Sequence, residues 1–502
     1  MNRQVNRLLL LIAAVHALAA FCFFGYYPFG FFHDDAIYWT GAVSLSHGSY
    51  RMISDAHAPL LVNYPIGYPL LIAPLAMFCD QCPWLAQIVS VLLSSLGVYL
   101  SGRLAAFLIP GRWSLAPALW LAIHPFMLRY ASTALADPAY QTMTLAVLLI
   151  LAEKSKKKNA VVRPAAGLGA LLGVTILLRN IGLAMVMAAV ADFLWKRGKR
   201  SAVALGLVAL AVCGPWFLWV RANNPSMSTY WDFWQSSGLN PSNLIEHALT
   251  LAKTYSQQIT LLVLLPVAPL DPTLLNRFLW GGLASAAVMA VLIWSLWKRL
   301  AGELRALSFY VIFYAAILLI WSRQDIRYLY PLIAPAGLLM FVQLGIWAEN
   351  SKFKFFRIAR AAIVLLLALT AFGAIRQSLE PAAQRPSIPL QTFHWMKNNL
   401  PGDSVVASAS VSTVYFYAQK KGLEFPRIRE SADLLKQLRK NGARFALIEG
   451  DLLLFNPPDA PRDITNWTPF AMLAIGQDPS SRLLYRNENE NTWIFRLFHP
   501  EK

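Results

Sequence analysis

Long apolar stretches recur along the first 376 residues of the chain, and short polar segments separate them. A helix that crosses the hydrocarbon core of a bilayer needs about 20 mainly apolar residues, with about 17 to 25 as the usual range. The pattern therefore predicts a polytopic α-helical membrane protein with about 11 transmembrane helices. The predicted spans are residues 8–24, 84–105, 114–129, 138–152, 163–178, 181–195, 201–220, 278–297, 307–322, 330–348 and 360–376.

Two further apolar runs, residues 66–79 and 259–270, are shorter and contain prolines. If neither run crosses the membrane, every basic cluster falls on one side, as the positive-inside rule requires of cytoplasmic loops. We therefore predict that both runs are interfacial or re-entrant, with a cytoplasmic N-terminus and an external C-terminus. The basic clusters are Arg3/Arg7, Arg103/Arg112, Lys154/Lys156/Lys157/Lys158/Arg163, Lys196/Arg197/Lys199/Arg200, Lys298/Arg299/Arg305 and Lys352/Lys354/Arg357/Arg360.

This topology divides the chain into a transmembrane domain, residues 1–376, and an external tail, residues 377–502. It also places three loops on the outer face of the membrane. They are residues 25–83, a short second loop at 129–137, and residues 221–277.

The pattern of the tail predicts a small extracytoplasmic α/β domain. Phe393–Leu400 is amphipathic, and Ala432–Lys440 has helical spacing before the stop signal Asn-Gly. Ser404–Ala409 and Arg444–Glu449 are typical of strands. Strands that alternate with helices indicate an α/β fold.

Composition agrees with a membrane protein and excludes a water-soluble globule. Of the 502 residues, 57% are hydrophobic and 14% are charged, and the mean hydropathy is +0.46. Soluble domains contain about half apolar and about a quarter charged residues. The net charge of +18 comes from clusters between apolar spans, so it indicates cytoplasmic loops and not nucleic-acid binding.

The N-terminus has two interpretations. Its basic start, its apolar run and Ala17-Leu-Ala19 resemble a signal peptide with a cleavage site. Because the apolar run continues past that point, we predict an uncleaved first helix.

The cysteines and histidines of the first outer loop do not indicate a metal site. Cys79 and Cys82 form a C-x-x-C without a second ligand pair, so a structural zinc site is disfavoured. The spacing allows a local disulfide if the loop faces an oxidising compartment. The histidines of this loop lack the spacing of metal ligands.

The first outer loop also contains an acidic pair, Asp34 and Asp35, directly after an aromatic segment. Burial beside an apolar helix end raises a carboxyl pKa, and a neighbouring like charge raises it further. Such a group can act as a general base or hold a cation. The alternative is a helix cap before Ala36–Ser46, which the spacing alone favours. The two roles are compatible, with one acid in each.

A second acidic candidate, Asp137, lies in the short second loop with Arg129 and Tyr130. Asp-Pro is a common helix start, so capping is again the alternative. Because Asp137 is predicted on the same face as Asp34 and Asp35, we interpret the three acids as one candidate site.

Two arginines, Arg323 and Arg327, lie with Tyr328 in another short outer loop. A guanidinium stays charged and offers two parallel hydrogen bonds, so it suits a phosphate. The alternative is an interfacial arginine whose head reaches water beside an aromatic belt. Arg179, between two apolar runs, is interpreted as a helix break.

These motifs and their order resemble the GT-C superfamily, and within it the bacterial membrane proteins related to protein O-mannosyltransferases and aminoarabinose transferases. The resemblance covers about residues 8–348, and the tail resembles the small external domain of some members. The motifs are Asp34-Asp35, Tyr64-Pro-Ile-Gly-Tyr68-Pro, Asp137-Pro and Arg327-Tyr-Leu-Tyr-Pro.

The resemblance implies an inverting glycosyltransferase in the inner (cytoplasmic) membrane that uses a polyprenyl-phosphate sugar donor. The acceptor is a hydroxyl of a lipid, a glycan or a protein, and the other partners are membrane lipids. The implied catalytic residues are Asp34, Asp35 and Asp137, and the implied donor-phosphate ligand is Arg327. We also predict Arg323 and Arg129 at the donor phosphate, and a substrate pocket that contains Tyr38, Tyr64, Tyr68 and Tyr328.

Two properties of the superfamily limit what the resemblance implies. Metal dependence varies among its members, so a divalent cation is compatible with the resemblance but not required by it. Aminoarabinose transferases have Lys-Pro-Pro where this chain has Asn63-Tyr-Pro65. That departure weakens any inference to a lipid A acceptor or to that donor sugar.

The chief rival is a transporter or flippase of a lipid-linked amphiphile. Transporters place ionisable residues near the bilayer midplane, often in repeated halves. Here the acids cluster in outer loops and no repeat is apparent, which favours the enzyme. A scaffold whose tail binds a partner is a third interpretation, and it predicts that the acids can be replaced without loss of function.

Overall fold

The computed structural model describes ten segments of the chain. They are residues 3–109, 111–155, 163–224, 242–264, 279–302, 304–321, 325–350, 356–425, 431–450 and 467–498. Arg323, predicted to contact the donor phosphate, lies outside the described residues.

The first 378 residues form a helical bundle. Its helices are α1 (Arg3–Cys22), α2 (Asp34–Ser46), α3 (Gly67–Phe78), α4 (Trp84–Ala106), α5 (Ala116–Ile123), α6 (Pro125–Ala131), α7 (Ala136–Ser155), α8 (Arg163–Leu178), α9 (Leu183–Arg197), α10 (Lys199–Asn223), α11 (Leu244–Leu264), α12 (Leu279–Leu300), α13 (Arg305–Leu319), α14 (Tyr330–Glu349) and α15 (Phe356–Ser378). Single 3₁₀ turns occur at Arg112–Leu115, Asn180–Gly182 and Ile326–Leu329.

Helices occupy the predicted spans, because an uninterrupted apolar run must satisfy its backbone polar groups internally when water is absent. Among the described residues, five helices are long and apolar enough to cross a membrane, or up to six if the bent pair α6–α7 is one span. Several other predicted spans form helices of only 15 or 16 residues. The bundle is therefore polytopic and α-helical, as predicted.

The prediction of one continuous helix over residues 114–129 is wrong. The helix breaks at His124, whose ψ of 118° is extended, and α6 begins at Pro125. A proline disfavours the helical conformation of the residue before it, which explains the break. The chain then bends by 114° between α6 and α7.

The two short apolar runs differ from each other. The first forms α3, a helix of 12 residues, which is shorter than a membrane span. The described start of the second run, residues 259–264, is the end of a longer helix, α11, that begins at Leu244, and the rest of the run lies outside the described residues. On this helix Ile245 and Leu249 are exposed, whereas Leu251 and Tyr255 are buried. Polar positions at helical spacing interrupt the apolar run, so the sequence pattern detected only the end of this helix.

The tail contains a five-stranded sheet of order β2-β1-β3-β5-β4. Its strands are β1 (Val405–Ala407), β2 (Lys421–Leu423), β3 (Phe445–Glu449), β4 (Ser481–Asn487) and β5 (Thr492–Leu497). Strand β1 is parallel to its neighbours β2 and β3, whereas β5 is antiparallel to the central strand β3 and to β4. The helices are α16 (Leu390–Asn399), α17 (Val411–Ala418), α18 (Ser431–Lys440) and α19 (Trp467–Gly476).

The predicted elements of the tail correspond to α16, β1, α18 and β3. The predictions did not include the other three strands, α17 or α19. Of these, α17 contributes most to the candidate site, because it packs on α2. A parallel bridge between Asp55 and Gly422 also joins the first outer loop to the sheet.

Candidate active site

The centre of the site is an ion pair between Asp34, the first residue of α2, and Arg327. The Arg327 Nη2 atom lies 2.5 Å from Asp34 Oδ2, and the Tyr64 hydroxyl donates to Asp34 Oδ1 at 3.1 Å. Arg327 lies in the 3₁₀ turn before α14, where the Asp325 carboxylate accepts a hydrogen bond from its backbone N–H at 2.8 Å. The side chains are 23% exposed for Asp34 and 10% exposed for Arg327. Asp34 is therefore partly accessible and faces a guanidinium.

The second acid of the pair faces its own loop. Asp35 is 2% exposed, and its Oδ2 accepts from the Gly30 N–H at 2.8 Å, whereas its Oδ1 accepts from the Ala36 N–H at 2.9 Å. The carboxylate thus joins residues 28–35, here named the acidic loop, to the first turn of α2. The helix-cap alternative holds only in part: Asp35 accepts from the free Ala36 N–H, but α2 begins at Asp34 and its N-cap residue is His33, without a side-chain cap bond. Asp34 faces Arg327 instead.

These environments shift the two pKa values in opposite directions. For Asp34 burial alone would raise the pKa, but the Arg327 guanidinium, helped by the charge of Arg179, holds it below the ordinary value. For Asp35 burial dominates over the two backbone hydrogen bonds and raises the pKa to about 7. Asp34 is therefore ionised throughout the physiological range, and Asp35 exchanges its proton within that range.

The third acid forms a second ion pair next to the first. Asp137, at the start of α7, is 1% exposed and pairs with Nη1 of Arg179. The charge of Arg179 also acts on Asp34, so the two pairs are neighbours. The sequence interpretation of Arg179 as only a helix break missed this contact. The sequence did contain evidence for it. The basic clusters at the start of α8 and at the end of α9 were predicted to be cytoplasmic, so the same prediction places Arg179, which lies between the two helices, on the outer face with the acids.

Three of the four predicted pocket tyrosines stack beside the ion pairs. The Tyr38 ring meets the rings of Tyr64 and Tyr68 edge to face, at centroid distances of 5.7 and 5.3 Å. Tyr68 is fully buried, and its hydroxyl lies 3.2 Å from the Ser90 hydroxyl. Tyr328 is in the turn of Arg327, where its carbonyl accepts from another tyrosine on α13.

Arg129 lies apart from the acids, on aromatic rings. Its guanidinium is 5.3 Å from the ring centroid of Tyr26 and 6.0 Å from that of Tyr27, and Nη1 lies 3.4 Å from the Tyr26 hydroxyl. The charges of both Arg129 and Arg327 act on the next residue, Tyr130.

The described residues do not offer a metal-binding set. No three His, Cys, Asp or Glu side chains converge within the described part of the chain. Asp34 and Asp137 are each paired with an arginine through one carboxylate oxygen.

The C-x-x-C of the first outer loop forms a disulfide, one of the alternatives that its spacing allowed. Cys79 and Cys82 are bonded, with 5.4 Å between their Cα atoms. The Trp39 indole donates to the Asp80 carbonyl inside this small ring at 2.7 Å. The disulfide therefore fixes a turn that contacts the middle of α2.

Sequence comparisons identify no relative of this chain: no family model matches, and no curated protein matches. Solved structures do match. ArnT from Cupriavidus metallidurans bound to undecaprenyl phosphate is 15% identical, with a TM-score of 0.62 over 97% of both chains. The Archaeoglobus fulgidus oligosaccharyltransferase tethered to an acceptor peptide is 13% identical, with a TM-score of 0.59 over 92% of this chain and 72% of that one.

A second structure of that oligosaccharyltransferase, AglB, is in complex with an inhibitory peptide and a dolichol-phosphate. It is 12% identical, with a TM-score of 0.57 over 91% of this chain and 72% of that one. At these identities the likeness concerns the fold. The chain has the GT-C fold, as the order of its motifs predicted.

Proposed function

We propose that this protein is an inverting membrane glycosyltransferase that moves a sugar from a polyprenyl-phosphate donor to an acceptor hydroxyl. The observation that carries the proposal is the 2.5 Å pair of Asp34 and Arg327, in which a partly accessible carboxylate faces a buried guanidinium. One group suits a base and the other suits a phosphate, and both lie next to each other at one end of the bundle.

The structural neighbours support this donor class. ArnT binds undecaprenyl phosphate, and the oligosaccharyltransferase binds dolichol-phosphate and an acceptor peptide. Each of these lipids joins a long isoprenoid chain to a phosphate. In the same way, the donor chain would lie in the bilayer and its phosphate would meet Arg327 at the interface.

The proposed reaction begins with an exchange of partners at Arg327. The donor phosphate takes the guanidinium, and the Asp34 carboxylate is released toward the acceptor. Asp34 removes the proton of the acceptor hydroxyl while that oxygen forms a bond to the anomeric carbon. The bond from this carbon to the phosphate oxygen breaks, and polyprenyl phosphate leaves with the electron pair. Because the leaving group is already an anion, it needs positive charge more than a proton.

The remaining predicted residues have supporting roles in this proposal. Asp137 holds Arg179, which supplies positive charge beside Asp34. Arg129 packs on Tyr26 and Tyr27 and makes no direct contact with the donor phosphate in this proposal. Tyr38 and Tyr68 are buried and support Tyr64, the partly exposed ring of this cluster, which is the one that can meet a sugar ring. Tyr328 and Arg323 border the phosphate site in sequence, and no metal-dependent step is needed.

The membrane arrangement is part of the same proposal. We propose about 11 spans in the cytoplasmic membrane, with the N-terminus inside. Residues 1–376 then form the transmembrane catalytic domain, and residues 377–502 form an extracytoplasmic α/β domain over the outer loops. The disulfide of the first outer loop is consistent with an oxidising compartment.

A donor panel tests the proposed activity. Purified protein with bacterial membrane extract would receive radiolabelled undecaprenyl-phosphate sugars, and label in the extract would be measured against protein heated before the assay. We expect one donor to be consumed, with inversion at the anomeric carbon. A protein that binds the donors but consumes none of them would instead favour the lipid transporter.

The pKa of Asp35 leads to a pH prediction. Below about pH 7 Asp35 is protonated and loses an acceptor for one backbone N–H, so the acidic loop loosens and transfer falls. Asp34 stays ionised there and cannot cause this loss. We expect kcat of the wild type to fall as the pH is lowered, with a midpoint at about pH 7. In Asp35→Asn we expect kcat to stay constant between about pH 5.5 and 8.5. The same fall of kcat in the variant would contradict this assignment.

A further inference from the structure

The tail contacts the acidic loop through one helix, α17. The Thr413 hydroxyl donates to the Gly30 carbonyl at 3.1 Å, and the Tyr417 hydroxyl donates to the Phe29 carbonyl at 3.0 Å. The Phe416 ring meets the Phe29 ring edge to face, with 4.8 Å between centroids. The two hydrogen bonds join residues 383 and 388 positions apart in the chain.

The peptide group between Phe29 and Gly30 makes hydrogen bonds through both its carbonyl and its N–H. Its carbonyl accepts from Tyr417, and its N–H, which belongs to Gly30, donates to Asp35 Oδ2 at 2.8 Å. Hydrogen bonds in such a chain polarise one another, so a donor on the carbonyl strengthens the N–H as a donor. The Tyr417 hydroxyl and the Asp35 carboxylate are therefore coupled through a single peptide.

Gly30 permits this close contact. Its φ is +90°, and a Cβ built on it would lie 2.6 Å from Thr413 Cγ2. A larger residue would displace α17 or rotate the peptide. The tail also contacts Ser54 of the first outer loop. The Ser54 and Ser412 hydroxyls lie 2.9 Å apart, and the Gly422 N–H donates to the Ser54 carbonyl at 2.8 Å.

We propose that Thr413 and Tyr417 are positioning residues for sugar transfer. Tyr417 holds the peptide after Phe29, whose N–H binds Asp35, and Thr413 holds the next peptide through the Gly30 carbonyl. Asp35 in turn holds the first turn of α2, from which Asp34 projects. The inference rests on the proposed function and adds to it: the tail takes part in aligning the base, in addition to any contact with an acceptor.

Besides burial, charged and titratable groups on four elements face Asp35. They are Asp34 on α2, Arg327 in the 3₁₀ turn before α14, Tyr68 on α3 and Tyr417 on α17. Only Tyr417 acts through the shared peptide. Removing its hydroxyl weakens the N–H that favours the ionised carboxylate, so the pKa of Asp35 should rise.

The test compares Tyr417→Phe with Tyr415→Phe. Both variants lose one hydroxyl from α17, but Tyr415 lies near Asp80 and not at the shared peptide. Tyr417→Phe keeps the ring that stacks on Phe393. Thr413→Val, which keeps the side-chain shape, serves as a second variant. The measurements are kcat against pH, and hydrogen exchange of the acidic loop, which needs no substrate.

We expect Tyr417→Phe to lower kcat by about 10-fold, to move the midpoint of the fall in kcat to higher pH and to speed exchange in the acidic loop. Thr413→Val should act in the same direction. If both variants match Tyr415→Phe in pH profile and exchange, the positioning role is wrong. The failure of the proposed function is distinct, because the wild-type protein would then transfer no sugar at any pH.

Discussion

The Asp34→Asn variant should transfer sugar about 1,000-fold more slowly than the wild type, the usual loss when a general base is removed. Asparagine keeps the size of the side chain; its amide oxygen can still accept from Arg327 and its NH₂ can donate to the Tyr64 hydroxyl, so the fold should be retained. Because Arg327 loses a competing anion, we expect binding of undecaprenyl phosphate to stay equal or to tighten. The measurement is a single-turnover rate with saturating donor, together with donor affinity.

The matched control for this prediction is Asp80→Asn. Asp80 is exposed in the same outer loop, and the substitution makes the same change in charge away from the ion pair. Its rate should stay within about twofold of the wild type. If Asp34→Asn kept most of its activity and Asp35→Asn lost it, then Asp35 would be the base and the assignment from the two carboxylate environments would be wrong.

The Arg327→Gln variant should bind the donor more weakly than the wild type, whereas Asp34→Asn should bind it at least as tightly. A charge-assisted hydrogen bond contributes about 1.5–3 kcal/mol, so the Kd for undecaprenyl phosphate should rise by about 10- to 150-fold. Transfer should fall further, since Asp34 loses the cation that aligns it and keeps it ionised. Lipid binding to the purified protein measures the first effect, and the transfer assay measures the second.

Arg129→Gln is the control for this second prediction. Both residues were predicted from the sequence to bind the phosphate, but Arg129 packs on Tyr26 and Tyr27 and does not pair with an acid of the site. Its loss should change the Kd by less than about fivefold. Equal effects of the two substitutions would contradict a donor site centred on Arg327. Because Arg327→Gln breaks a buried pair, its melting temperature should be compared with that of Arg327→Lys, which keeps the charge.

The two substitutions together separate the enzyme from the transporter. An enzyme with this site should bind donor normally but transfer it slowly in Asp34→Asn, and should bind donor weakly in Arg327→Gln. A transporter has no step that needs a base, so in Asp34→Asn it would still move lipid. The two substitutions thus affect different halves of the reaction, and Asp80→Asn and Arg129→Gln should affect neither.

Several features of this protein follow from local sequence. A run of about 20 apolar residues has no alternative to a helix in lipid, so the membrane helices were predictable within a few residues. The break at His124 was also encoded locally, since Pro125 follows it, although the span prediction passed over that signal. In the tail, short apolar runs bounded by turn residues identified β1 and β3. Strand β4 is mostly exposed and has few buried positions, so its alternation of apolar and polar residues was too weak to predict a strand.

The sequence by itself determined the class of protein, the position of most helices and the short set of charged residues that lie at one end of the bundle. Only the tertiary structure decided their partners. Asp34 and Asp35 are neighbours in sequence, yet about 100° separates successive side chains on a helix, so one faces Arg327 and the other faces its own loop. The contacts of Arg179 with Asp137 and of Tyr417 with Phe29 depend on how distant segments pack, and no local pattern records that packing.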